Sequence, residues 1–178
     1  MLLSLDAMHE RHRALTESIA GSYQEAAAVC LSRHHLPPLP IMLSDNRSES
    51  SGEIIWTAPD GRTLAAWANS TDTTEAGACA CVLAAVEKLR GLVAVRRAET
   101  GTGADYYVGL PGAGDDDLEE CLRLEISGVD SGGHREVTKR LLEKTRQARA
   151  GNSNLPAVAG VIGFSARLLM LRDVEDAA

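Results

Sequence analysis

The chain has 178 residues, of which 44% are hydrophobic and 24% charged, so it is long enough and apolar enough to form a globular domain with a substantial core. A formal net charge of -7 argues against a protein that coats nucleic acid by bulk positive charge, but it is compatible with a local basic patch. Only 3% of the residues are aromatic, so base-stacking platforms of the single-strand-binding type are not expected. We predict one domain over residues 1–178.

The N-terminal stretch "MLLSLDAMHERHR" reaches charged residues early and lacks the sustained apolar segment of a signal peptide. No window approaches the 18 or so consecutive apolar residues that a membrane-spanning helix needs. We therefore expect a cytoplasmic protein without membrane contact. Its four cysteines are expected to be buried thiols: Cys30, Cys79, Cys81 and Cys121.

Residues 4–33 are predicted to form one long amphipathic helix, within an N-terminal segment 1–36. Apolar and small residues recur there at steps of three and four: Leu5, Met8, His12, Leu15, Ile19, Tyr23, Ala26 and Cys30. Such a seam packs either on its own domain or on a copy of itself, so a homodimer through this helix remains open. The prolines of "LPPLP" end the helix.

The next segments read as a linker, a hairpin and a core helix. Residues 41–51 are polar and rich in turn-forming residues, which predicts a linker. Two strand-like runs in 52–68 flank Pro59-Asp60-Gly61, a sequence that favours a turn and so predicts a hairpin. Residues 72–90 are predicted to be a helix that begins with a capping box and ends at Gly91.

Three short strands, a helix and a buried strand complete the chain. The strands are predicted at 92–99, 104–110 and 121–129, with an exposed acidic loop at 111–120, a helix at 134–150, and a buried strand with a closing element after residue 155. The fold class is therefore α/β (α+β), with a central mixed sheet flanked by helices.

The stretch "RLEISG" puts a carboxylate in the middle of a predicted strand. Leu124 and Ile126 alternate with residues of the other face, where Arg123, Glu125 and Ser127 lie. That second face is either solvated, with Glu125 paired to Arg96 or Arg123, or it lines a cleft in which Glu125 takes part in chemistry.

The order helix, three strands, helix, strand from residue 72 onward resembles the core of the PD-(D/E)xK nuclease superfamily. Members of that superfamily carry an acidic residue early in the second strand and a Glu-x-Lys on the third. Here "GADYYVG" supplies Asp105, and "RLEISG" supplies Glu125. The resemblance covers residues 72–165, within a nuclease-like core assigned to 72–172.

The resemblance implies a metal-dependent phosphodiesterase in which Asp105 and Glu125 bind Mg²⁺ or Mn²⁺. The superfamily's lysine orients the attacking water, and Ser127 stands at that position here. Some members supply the lysine from the following helix, which makes Lys139 and Lys144 the candidates.

Two further acids lie on the first core helix of this resemblance. Some superfamily members use acids there for a second metal contact, a role open to Glu75 and Glu87. The alternatives are that Glu75 caps the helix and that Glu87 marks its solvated end.

The helix 134–150 carries a local excess of positive charge on an acidic chain. Its candidate nucleic-acid contacts are Arg135, Lys139, Arg146 and Arg149. A basic stripe beside the cleft would attract a phosphate backbone. The alternative is that these charged residues only form the solvated face of a surface helix. The resemblance thus implies a nuclease-like protein acting on or binding DNA in a bacterial cytoplasm. The alternative is a non-catalytic accessory or immunity-type protein with an operon-encoded partner.

Overall fold

The computed structural model describes residues 1–114, 116 and 118–174, which form eight strands and five helices. In chain order these are β1 (Leu2–Leu3), α1 (Met8–Arg11), α2 (Glu17–Ser32), β2 (Leu39–Asp45), β3 (Ser48–Ile54), α3 (Gly61–Ala66), α4 (Ser70–Arg90), β4 (Val93–Arg97), β5 (Tyr106–Gly109), β6 (Leu122–Val129), α5 (His134–Ala150), β7 (Ala157–Gly163) and β8 (Leu168–Val174).

All eight strands join one mixed sheet in the order β1-β3-β2-β8-β7-β6-β5-β4. The pairs β1/β3, β2/β8 and β6/β7 are parallel, and the other neighbours are antiparallel. The predicted α/β (α+β) class with a central mixed sheet is confirmed.

Helices cover both faces of the sheet. Strand side chains alternate between the two faces, and apolar side chains lie on each of them. On β7, Val158 and Ile162 join the larger core with α2 and α4, whereas Ala159 and Val161 pack with α5. Glycine lets α2 and α4 approach each other closely, since a Cβ at Gly77 would lie 3.0 Å from the backbone of Ala27. The sheet is therefore sandwiched between α2 and α4 on one side and α5 on the other.

The prediction of one helix over 4–33 is wrong. Residues 2–3 form a strand, and α1 and α2 are separated by a break at 12–16, where His12 is extended and Thr16 caps α2 through its side chain. The apolar spacing continued across the break because residues on both sides of it face the same core. Leu5, Met8 and Leu15 are buried within the chain itself. These three positions of the seam are therefore not available to a second copy of the chain, whereas Ile19 is 40% exposed.

The predicted hairpin at 52–68 and the linker at 41–51 are also wrong. The hairpin is β2 with β3, and it runs through the polar stretch. Asp60 of the expected turn instead caps α3, its side chain accepting a hydrogen bond from the Thr63 N–H at 2.7 Å. Periodicity failed here because most of β3 is exposed, so its side chains do not alternate in hydrophobicity.

The elements from residue 70 onward agree with the sequence. The structure contains α4, the three strands, α5 and β7 at the expected places, and the closing element is β8. Asn69 caps α4, in place of the expected capping box at Asp72. The four cysteines are free and buried. The predicted loop 111–120 includes residues 115 and 117, which lie outside the described residues. No helix in the described part of the chain is both long and apolar enough to cross a membrane.

Candidate functional site

The two predicted acids meet where β5 begins. The register of β5 with β6 pairs Tyr106 with Leu124, and Asp105 immediately precedes β5. The longer β6 continues past this point to Val129, so one edge of its second half is left without a strand partner. Asp105 and Glu125 line one cleft at that open edge.

Glu125 is only 3% exposed, and its charge is balanced from α5. Lys144 Nζ donates to Glu125 Oε1 at 2.7 Å and to Gln147 Oε1 at 3.0 Å. Within the part of the chain that the structure describes, Oε2 of Glu125 accepts no hydrogen bond. Of the three predicted candidates for the lysine's role, Lys144 therefore contacts the acid, and Ser127 lines the same cleft.

Burial raises the pKa of the Glu125 carboxyl above its ordinary value, and the nearby charge of Asp105 acts in the same direction. The hydrogen bond and charge of Lys144 oppose this rise in pKa. A second negative charge beside Glu125 favours the arrival of a cation, because a cation relieves the repulsion between the two carboxylates. The electrostatics of the pair therefore suit cation binding.

Asp105 is held in position by the backbone of the neighbouring strand. Its Oδ2 accepts a hydrogen bond from the Ile126 N–H at 2.8 Å, and the guanidinium of Arg97 lies 3.7 Å from Oδ1. In a strand, the N–H and C=O of one residue point to the same edge. The carbonyl oxygen of Ile126 therefore faces the open edge at which Asp105 lies.

The cleft around these acids has a volume of about 490 Å³ and is lined mainly by polar residues. Its charged lining consists of four carboxylates and two cations: Asp72, Glu75, Asp105, Glu125, Arg97 and Lys144. We call this the carboxylate cleft. Its net negative charge concentrates cations and repels free phosphate.

The donors fit a hard divalent cation such as Mg²⁺. That ion is held in proteins by one or two carboxylates, keeps several waters, and is completed by substrate phosphates. Asp105 and Glu125 would supply two carboxylates, and the Ile126 carbonyl at the same edge would supply a third oxygen. Among the described residues, no three His, Cys, Asp or Glu side chains are grouped as metal ligands. A zinc centre with a full set of protein ligands is therefore not present in the described part.

The predicted basic residues of α5 point away from the carboxylate cleft. Arg135, Lys139, Arg146 and Arg149 lie about 140–180° around the helix from Lys144, at about 100° per residue. All four are exposed, and none lines the cleft. Lys139 therefore does not reach the acids.

Contacts and positions in the structure bear on three other sequence expectations. Arg123 is buried and donates to main-chain carbonyls, and Arg96 pairs with Glu99, so neither is the partner of Glu125. Glu87 binds Arg11 and His12 away from the cleft. Glu75 lines the cleft, as a second metal contact would require.

Eight residues of the cleft lining were not among the predicted site residues: Tyr23, Trp67, Asp72, Ala76, Cys79, Arg97, Ile126 and Gln147. Gln147 follows Lys144 by three residues on a predicted helix, and this spacing places both on one face. Arg97 ends β4 and pairs with Tyr106 in the register, which no local pattern indicates. Tyr23 and Trp67 come from distant segments and could not have been found without the fold.

Comparison with protein-family models, with curated proteins and with solved structures gives no match for this chain.

Proposed function

We propose that this protein is a divalent-metal-dependent phosphodiesterase that acts on nucleic acid. The observation that supports this most is that Asp105, Glu125 and Lys144 line one cleft, although they come from the segment before β5, from β6 and from α5. The element order 72–172 and its resemblance to the PD-(D/E)xK superfamily support the same proposal.

Asp105 and Glu125 would hold Mg²⁺ or Mn²⁺, together with the Ile126 carbonyl. When bound, the cation neutralises charge on the phosphate and lowers the pKa of a bound water. The hydrogen bond from the Ile126 N–H fixes the Asp105 carboxylate, so that little reorganisation is needed when a cation binds.

Lys144 is proposed to do the work of the missing strand lysine. Its ammonium is fixed between Glu125 Oε1 and Gln147 Oε1 at the wall of the cleft. A fixed cation there orients a water and stabilises the negative charge that develops on the phosphate. A hydroxyl at Ser127 carries no charge, so it cannot supply this electrostatic effect.

The substrate is proposed to be DNA in a bacterial cytoplasm, and the alternative is a non-catalytic accessory or immunity-type protein that binds an operon-encoded partner or a second copy of itself. One observation favours the alternative: Glu125 and Asp105 both have partners inside the chain. A salt bridge kept only for structure would look the same.

Hydrolysis of labelled oligonucleotides in Mg²⁺ separates the two functions. We expect wild type to cut and Lys144→Gln to lose at least about 100-fold in rate, the scale of a lost proton-transfer or charge-stabilising group. Lys139→Gln is the matched control, because it removes a lysine from the same helix on the opposite face.

Metal-dependent cutting that survives in Lys144→Gln at the wild-type rate would remove the proposed role of that lysine. No cutting of any oligonucleotide by wild type would favour the non-catalytic alternative.

A further inference from the structure

A second cleft of about 400 Å³ adjoins the carboxylate cleft and shares Tyr23 and Arg97 with it. Its remaining walls come from α2 and the segment before it, and from β5. Ala14, Ile19 and the ring of Tyr106 make it less polar than its neighbour. We call it the tyrosine cleft.

Arg97 forms the boundary between the two clefts. Its guanidinium carbon lies 4.6 Å from the centre of the Tyr106 ring, and Nη1 donates to the Tyr23 hydroxyl at 3.1 Å. The hydroxyls of Tyr23 and Tyr106 hydrogen-bond to each other at 2.8 Å. A guanidinium fixed in this way presents N–H donors for a phosphate and a planar face for an aromatic ring.

The few aromatic residues of the chain are concentrated here. The sequence has two Trp, three Tyr and one Phe, and Tyr23, Trp67 and Tyr106 line the two clefts. The low aromatic content had argued against base stacking, but composition does not report where the rings lie. Tyr106 is only 1% exposed beneath Arg97, so the planes that the tyrosine cleft offers to a base are those of Arg97 and Tyr23. Such planes beside a phosphate site are the means by which proteins hold unpaired bases.

The depth of the site also favours an unpaired strand. Glu125 is 3% exposed, so a reacting phosphate has to descend into a cleft whose volume is that of a small-ligand pocket. The backbone of a single strand can enter such a cleft with its base turned aside, whereas paired bases hold a duplex backbone on a broad cylinder.

We propose that the tyrosine cleft binds a base of a single-stranded nucleic acid whose backbone passes Arg97 into the carboxylate cleft. The substrate class is therefore single-stranded nucleic acid, as DNA or RNA. This inference rests on the proposed function, since it assigns the substrate of the same site.

Fluorescence anisotropy tests it with a labelled thymidine oligonucleotide, the matching uridine oligonucleotide, the matching duplex, and an abasic strand of equal length. Binding is measured in Ca²⁺ and in EDTA, so that no Mg²⁺-dependent cutting is required. We expect the single strands to bind more tightly than the duplex, and the abasic strand to bind about tenfold more weakly than the thymidine strand. Tighter binding of the thymidine or of the uridine strand identifies the source as DNA or RNA.

Ile19→Glu is the diagnostic variant, and Leu142→Glu is its control. Ile19 is 40% exposed on α2 in the tyrosine cleft, and Leu142 is 41% exposed on α5 outside both clefts. The two variants add the same charge at the same exposure. We expect Ile19→Glu to weaken single-strand binding about tenfold, while Leu142→Glu stays within about twofold of wild type.

Equal affinity of the two variants, equal binding of single strand and duplex, or no binding of any probe in either buffer would overturn the inference. Its failure is distinguishable from failure of the proposed function. Metal-dependent cutting that Ile19→Glu leaves unchanged would retain the function without this subsite. Binding that depends on Ile19, without cutting, would retain the subsite without the function.

Discussion

Two neighbouring charged residues on one face of β6 show how differently a buried charge can be used. Arg123 and Glu125 lie two residues apart on β6, and they are 5% and 3% exposed. Arg123 donates to the carbonyls of Thr102, Ala148 and Leu155 at 2.7, 2.9 and 2.9 Å, and so joins three separate segments. Glu125 is paired with Lys144 and lies in an open cleft beside a second acid, Asp105.

Burial alone therefore does not separate structural charges from candidate functional ones. Both charges are removed from water, which is unfavourable unless partners compensate. The partners of Arg123 are main-chain groups, whereas Glu125 is paired with the side chain of Lys144, and among the described residues its second oxygen accepts no hydrogen bond. Glu125, at the open edge of β6, is therefore the charged residue suited to bind a cation.

The largest effect on stability is expected from replacing Arg123, the charged residue with three main-chain partners. Arg123→Met leaves three carbonyls without their donor, and we expect a loss of at least about 3 kcal/mol in the free energy of unfolding. Urea unfolding monitored by circular dichroism measures this. Arg146→Met, an exposed arginine of α5, is the control and should stay within about 0.5 kcal/mol. A small effect at Arg123 would show that its three contacts add little to stability.

Like Arg123, the buried His12 should contribute to stability, because both of its ring nitrogens have hydrogen-bond partners. His12 Nδ1 accepts from the Ala94 N–H at 3.0 Å, so Nε2 carries the proton toward Glu87 Oε2 at 3.1 Å. Burial lowers the pKa of His12 below 6.5, with the Glu87 charge opposing. The folded state therefore keeps His12 neutral where the unfolded chain is already protonated.

This contribution to stability is complete above pH 6.5 and is lost as the pH falls through the lowered pKa of the folded state. The slope is at most about 1.4 kcal/mol per pH unit, the limit for one proton. We expect His12→Gln to flatten this part of the stability curve. An unchanged slope in the variant would assign the pH dependence to other groups.

Glu125→Gln should change stability less than either of these substitutions. The stabilisation that comes from the raised pKa of Glu125 is present below pH 4.5 and is lost as the pH rises through the folded-state pKa, so at neutral pH the buried charge is unfavourable. Lys144 keeps Gln147 and is 19% exposed, so its charge is not stranded. We expect a change below about 1 kcal/mol by urea unfolding. A loss of unfolding free energy as large as that of Arg123→Met would show that Glu125, like Arg123, serves the stability of the fold.

The smallest effect is expected on the outer face of α5. Lys139→Gln combined with Arg146→Gln removes two charges that point away from the cleft, and single-strand affinity should stay within about twofold of wild type. Anisotropy titrations at several salt concentrations measure this. A plot of log affinity against log salt that flattens by about one unit per lost contact would show that the stripe binds the backbone.

The second half of the fold was predictable because its elements are separated by strong signals. Gly91 ends α4 in the left-handed conformation, and α5 has a clear apolar side. The first half was not, because β3 is exposed and because the apolar spacing runs through the break between α1 and α2. The position of β3 and the break between α1 and α2 are both decided by tertiary contacts, which leave no pattern in the local sequence.

The candidate site was predictable only in part, for a similar reason. The resemblance to the PD-(D/E)xK superfamily pointed to Asp105 and Glu125, and it left Lys139 and Lys144 on the next helix as the candidates for the lysine. The direction of Lys139 away from the cleft depends on which side of α5 packs on the sheet, which the buried Val137 and Leu141 decide. Arg97 depends on the register of β4 with β5.

The most direct test of the carboxylate cleft is calorimetric titration of Mn²⁺ and Mg²⁺ into wild type and Asp105→Asn. Asn keeps the size of the side chain and an oxygen for the Ile126 N–H, but removes the charge. We predict that wild type binds a single divalent cation and that Asp105→Asn binds it at least about tenfold more weakly, since hard cations prefer carboxylate oxygens. No binding by wild type, or equal binding by the variant, would contradict the assignment of this cleft as a cation site.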